Sequence, residues 1–189
     1  MIKKVAIVAV LAALCALPIV AHAQVDKFGK VDTLYIDVER ANPSHYVMTV
    51  SYTNDQPVAG LSIPLQMTGG KVPIVADSAV YTGGRVDNFA FKGFRPDTAI
   101  QCVTLGMIAD LTGTKKILEP GAGRLVTVFV SSLDNRPLEK FLVDTTTTNP
   151  DNSLMIIADR SLLGPADSTL AKREKDLQIV PALVIREPK

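Results

Sequence analysis

The sequence predicts an all-β sandwich, and three observations predict it. Short runs of alternating polarity recur along the chain, Gly, Pro, Asn and Asp clusters separate them, and no long stretch carries the 3.6-residue period of an amphipathic helix. Thr33–Glu39 alternates, with Leu34, Ile36 and Val38 on one face and Thr33, Tyr35, Asp37 and Glu39 on the other. After the turn Ala41-Asn42-Pro43-Ser44, Tyr46, Met48, Val50 and Tyr52 form the apolar face of a second strand, opposite Thr49, Ser51 and Thr53. Asn54-Asp55-Gln56-Pro57 turns the chain into Ala59–Met67, whose odd-numbered residues face inward and whose Ser62, Pro64 and Gln66 face outward. Proline cannot donate to a ladder, so this strand is bulged at Pro64 or has an unpaired edge there.

Gly69-Gly70 ends the third strand, and Pro73–Tyr81 is the fourth. Asn88–Lys92 and Ala99–Ala109 are expected to form a hairpin across Arg95-Pro96-Asp97-Thr98, with Phe89 and Phe91 on its inward face. Val103–Ala109 loses its alternation, as a strand covered on both faces does. Arg124–Ser132, Leu138–Asp144 and Ser153–Asp159 are further strands, the last two separated by the polar loop Thr145–Asn152. Pro165–Asp176 is a polar connection or a short helix starting near Ser168. Gln178–Arg186 is a last strand, at an edge or bulged because of Pro181.

The first 23 residues stand apart. Lys3 and Lys4 precede an apolar run from Val5 to Leu17, followed by Pro18 and Ala21-His22-Ala23, the order found in a secretory signal peptide cleaved before Gln24. The run is shorter than the roughly 20 residues that span a bilayer, and nothing after Ala23 is apolar for long enough. Leu14 is too large for a lipobox ahead of Cys15. Residues 1–23 are therefore expected to be an address, residues 24–189 a single domain, and the protein secreted or periplasmic. Without Lys3 and Lys4, 18 Lys and Arg face 19 Asp and Glu, a balance that argues against a nucleic-acid partner. Cys102 alone remains and cannot form an internal disulfide; in a β-rich run it reads as a small buried hydrophobe.

Three fragments, with their order, carry a family resemblance. Val47–Tyr52, Asn54 and Val58-Ala59-Gly60-Leu61-Ser62-Ile63-Pro64-Leu65 resemble the second and third strands of cohesin-like domains. Cys102–Asp110 and Leu118–Val130 (LEPGAGRLVTVFV) are similar to their sixth and seventh strands. The match spans roughly Thr33 to Asp159. The resemblance implies a jelly-roll sandwich of about nine strands, with the first and last strands paired in parallel, a fold shared with several carbohydrate-binding modules. It also implies docking of a protein partner on one sheet face, for which Ser62, Gln66, Asn88 and Lys92 are the nearest equivalents.

Chemistry-bearing patterns are sparse. His45 is the one histidine after the leader, and Ser44 beside it is expected to point away, so no proton relay is anticipated. Gly121-Ala122-Gly123 lacks the rest of a dinucleotide fingerprint. No cofactor is expected. Calcium is weighed at Asp144, Asn149, Asp151 and Asn152, although Asx residues also build turns through their own backbone. Arg85–Asp97 concentrates Arg85, Phe89, Phe91, Phe94 and Arg95, residue types that dominate interfaces, yet a core hairpin with solvated arginines explains them too.

The resulting reading is a non-catalytic binding module for an extracellular or envelope protein, through Ser62, Gln66, Arg85, Asn88, Lys92 and Arg95. The alternatives are a polysaccharide ligand, disfavoured by the absence of Trp, a hydrolase using dispersed carboxylates, and an envelope subunit pairing through a strand edge.

Overall fold

Alternation becomes burial wherever two sheets face each other. The computed structural model describes residues 26–112, 116–146, 153–163 and 175–187, and among them eleven strands form two sheets packed as a sandwich. The strands are β1 (Thr33–Asn42), β2 (His45–Asn54), β3 (Val58–Thr68), β4 (Ile74–Val80), β5 (Phe91–Asp97), β6 (Cys102–Ile108), β7 (Gly121–Ser132), β8 (Leu142–Thr145), β9 (Met155–Ala158), β10 (Gln178–Ile179) and β11 (Ala182–Arg186). One sheet has the order β11-β1-β2-β7-β4. The other runs β10-β9-β3-β6-β5, with β8 also paired to β3. β1 and β11 pair in parallel, from Thr33↔Ala182 to Asp37↔Arg186.

The strand count exceeds nine for two local reasons. Gln178–Arg186 divides at Val180-Pro181, so that β10 lies in one sheet and β11 in the other: Pro181 marks a crossing between sheets. β9 and β8 share one edge of β3, pairing with Val58–Ser62 and Leu65–Thr68 respectively. Ile63 and Pro64 have no partner on that edge, which is where a missing N–H costs no ladder bond.

The core is the sum of the inward faces. Leu34, Ile36, Met48, Val50 and Tyr52 of the first sheet meet Ile63, Leu65, Val103, Leu105 and Met107 of the second, all fully buried. Removing each such side chain from water stabilises the fold by about 1.5–3 kcal/mol. Tyr46 stacks on Phe141 with centroids 4.8 Å apart and caps one end.

Three expectations change. β6 keeps its alternation: Val103, Leu105 and Met107 are buried, while Thr104, Gly106 and Ile108 look outward, because β6 is covered on one face only. β5 starts at Phe91 and runs through Arg95 and Pro96, and the turn lies at residues 98–101. Phe89, before the strand, is buried, whereas Phe91 is exposed, so the two do not share an inward face. Finally, Ser44 Oγ lies 2.9 Å from His45 Nδ1, and Asn42 Oδ1 lies 3.0 Å from the same nitrogen. Asn42 Oδ1 also accepts from the Ser44 N–H at 2.9 Å, so an Asx turn, tighter than a strand end, brings these neighbours together. The cluster has no carboxylate and builds the β1–β2 connection.

Candidate functional site

Register decides which side chains share the outer face of the second sheet. Gly60, Ile108 and Phe91 form one cross-strand row with Ile157, and Ser62, Gly106 and Gly93 the next with Met155. Pro64, Thr104 and Arg95 form a third, and Gln66, Cys102 and Asp97 a fourth with Asp144. The first two rows are apolar or glycine apart from Ser62, and the third and fourth are more polar. Phe91 is 46% exposed and Ile108 41%. The Phe91 ring lies 3.0 Å from where a Cβ on Gly93 would sit and 3.7 Å from that of Gly106, so the two glycines form the bed on which it rests.

The candidate residues distribute unevenly over this geometry. Ser62, Gln66 and Arg95 lie on the outer face. The Gln66 amide donates to the carbonyls of Ile100 and Gln101, which fastens it to the β5–β6 turn. Lys92 falls in the inward row with Met107 and Leu61, and its ammonium donates to the Asp87 carbonyl. Asn88 is exposed ahead of β5, off the sheet. Arg85 lies at the other sheet, where its guanidinium donates to the carbonyls of Tyr52 (2.9 Å), Gly121 (3.1 Å) and Glu119 (2.5 Å). Asp144 is exposed and accepts from the Thr145 N–H at 2.7 Å; Asn149, Asp151 and Asn152, like residues 1–23, lie outside the described residues. Cys102 is buried, and burial pushes its thiol pKa up, away from nucleophilic character.

At the Gly60–Ile108 end the face opens into a groove of about 1000 Å³, lined also by Ile157, Asp110, Asp159 and Lys116. Its two carboxylates have local partners. Asp110 Oδ1 accepts from the Thr112 N–H (2.7 Å) and hydroxyl (3.0 Å), and Asp159 Oδ1 accepts from the Ser161 N–H (2.9 Å) at the start of a 3-10 turn, Arg160–Leu162. These are turn-capping contacts. The outer face of the first sheet is more polar: Tyr35, Asp37, Thr49, Ser51 and Thr127 share its central rows, and Arg186 pairs with Asp37 at 2.9 Å beneath a cation–π contact to Tyr35.

The exposure of Phe91 and Ile108 was not expected from the sequence pattern. The signal was the pair of mid-strand glycines, Gly93 and Gly106, which leave room for a ring on the surface side.

No protein-family model and no curated protein matches the chain. Solved structures do. The OlpA cohesin of Clostridium thermocellum, in a type I complex with the dockerin Doc918, superposes with a TM-score of 0.57 at 10% identity, over 85% of this chain and 100% of that one. The sixth cohesin of Acetivibrio cellulolyticus scaffoldin B, in complex with a Cel5 dockerin mutant, gives 0.54 at 10%, over 84% and 96%. A non-cellulosomal cohesin from the archaeon Archaeoglobus fulgidus gives 0.52 at 13%, over 85% and 92%.

The fold is cohesin-like. At such identities the likeness is one of architecture. The parallel β1–β11 pair is the pairing of first and last strands that the sequence resemblance implies. Among the described residues no helix is long and apolar enough to cross a membrane.

Proposed function

We propose that this protein is a secreted or periplasmic, non-catalytic module that binds another protein through the outer face of β9, β3, β6 and β5. The observation that carries the reading is the exposed apolar patch around Phe91 and Ile108, bordered by Ser62 and Arg95. An exposed apolar surface with a polar rim is the anatomy of a recognition site. The solved cohesins of this architecture that were captured with dockerins support a protein as the partner. A polysaccharide is held chiefly on Trp and Tyr platforms, and the exposed ring here, Phe91, carries neither a hydroxyl nor an indole N–H. The chain has no Trp, and Tyr81, near the patch, has its hydroxyl fastened to the Gly93 carbonyl at 2.7 Å. The turn-capping roles of Asp110 and Asp159 favour binding over hydrolysis.

The test is affinity capture from the source organism's envelope and secreted fractions, followed by titration of the recovered partner. Ser62→Arg and Phe91→Ala are each expected to weaken binding more than tenfold while unfolding at nearly the wild-type temperature. Thr49→Arg on the opposite sheet should bind normally. Loss on Thr49→Arg alone would move the site to the first sheet, and recovery of polysaccharide rather than protein would replace the partner class.

A further inference from the structure

At the edge where the chain enters β1, three carboxylates converge. Oxygens of Asp26, Asp32 and Asp55 all lie within 4.8 Å of one another. That is the span of two ligands each about 2.4 Å from a shared ion. Asp26 and Asp32 come from the segment leading into β1, Asp55 from the β2–β3 turn. The turn also contributes Gln56, which is 2% exposed and donates from Nε2 to Asp32 Oδ2 at 2.5 Å.

What such a cluster lacks is as informative as what it holds. Asp32 Oδ1, Asp26 Oδ2 and Gln56 Oε1 are all buried without a hydrogen-bond partner. A buried acceptor left without a partner is costly, a carboxylate oxygen more so than a carbonyl, and here three such acceptors occur together. The Gln56 amide is held against Asp32 by its nitrogen, so its free oxygen borders the same carboxylate. Three of the other oxygens are held in place: Asp26 Oδ1 accepts from the Phe28 N–H at 2.8 Å, Asp55 Oδ2 from the Lys30 N–H at 2.7 Å, and Tyr52 Oη donates to Asp32 Oδ2. Arg85, whose charge reaches Asp32, spends its guanidinium on three carbonyls. Gly29 has φ +157°, and a Cβ there would collide with the Asp55 carboxylate; glycine lets the lead-in pass directly against it.

We propose that Asp26, Asp32, Asp55 and the side-chain oxygen of Gln56 bind a divalent cation of the Ca²⁺ class, tying the segment before β1 to the β2–β3 turn. The donors are all oxygen, with no His or Cys, which selects a hard cation over Zn²⁺ or Cu²⁺. The site is distinct from Asp144 and its loop, and it is independent of the binding face on the other sheet.

The experiment is thermal unfolding of the EDTA-treated, purified protein against CaCl₂, together with Tb³⁺ emission excited through tyrosine. The chain has no Trp, and Tyr52 touches Asp32, so a lanthanide in the site reports at tyrosine wavelengths. The expected result is a Ca²⁺-dependent rise in unfolding temperature with an apparent Kd in the range of about 0.1–1 mM typical of extracellular modules. Asp26→Asn and Asp55→Asn, which keep an acceptor oxygen, should weaken Ca²⁺ at least tenfold and abolish Tb³⁺ emission, whereas Asp144→Asn should leave both unchanged. No response in the wild type up to 10-fold above about 1 mM Ca²⁺, or a response that survives both substitutions, overturns the site. Equal stabilisation by Mg²⁺ at the same concentration overturns its assignment to the Ca²⁺ class.

Discussion

Arg85→Met is expected to cost about 3 kcal/mol of folding stability, read as a lowered midpoint in chemical denaturation at unchanged slope. The guanidinium bridges three carbonyls from two strands and a loop: Tyr52 at the end of β2, Gly121 at the start of β7, and Glu119 before it. Methionine keeps most of the aliphatic stem and removes all three charge-assisted bonds. The stem matters too. Gly121 and Gly123 have φ near +150°, and Arg85 lies over both, with its Cδ 3.2 Å from where a Cβ on Gly123 would sit. Arg85→Lys should recover less than half of the loss, since a single ammonium cannot span acceptors that a planar fork reaches. A wild-type midpoint in Arg85→Met would mean that water satisfies these carbonyls equally well.

Asp32→Asn should remove a stability difference of about 2.5 kcal/mol between pH 4 and pH 7.5, measured in EDTA. Burial pushes the Asp32 carboxyl up from 3.8 to about 6. Hydrogen bonds from Tyr52 and Gln56 oppose that rise, and the charges of Asp26 and Asp55 add to it. Arg85 faces the same cluster and favours the ionised form. The folded pKa exceeds the unfolded one, so the contribution of Asp32 to stability is full below about 3.8 and is lost as pH rises through about 6. The wild type is therefore expected to gain on Asp32→Asn in acid and to lose ground at neutral pH. A difference between the two proteins that stays constant with pH would show that Asp32 titrates normally.

Much of the architecture was legible because a period of two leaves little freedom. Leu34, Ile36, Val38 and Met48, Val50, Tyr52 point inward as their alternation requires, and Pro64 occupies the unpaired stretch of β3 that its missing N–H demands. The site was less legible. A strand start displaced to Phe91 exchanges the faces on which aromatics are expected, and whether Arg85 is a surface anchor or an internal clamp depends on carbonyls more than thirty residues away. The Asp26–Asp32–Asp55 cluster joins a segment before β1 to a turn after β2, and no local spacing encodes it.

The parallel pairing of β1 with β11 has a mechanical consequence. A pull on the chain before Thr33 and an opposing pull after Arg186 act along the shared axis of the two strands. The five pairs from Thr33↔Ala182 to Asp37↔Arg186 are then loaded side by side rather than peeled one at a time. A domain held between two tethers in this way resists in shear, the arrangement in which a short ladder withstands tension longest.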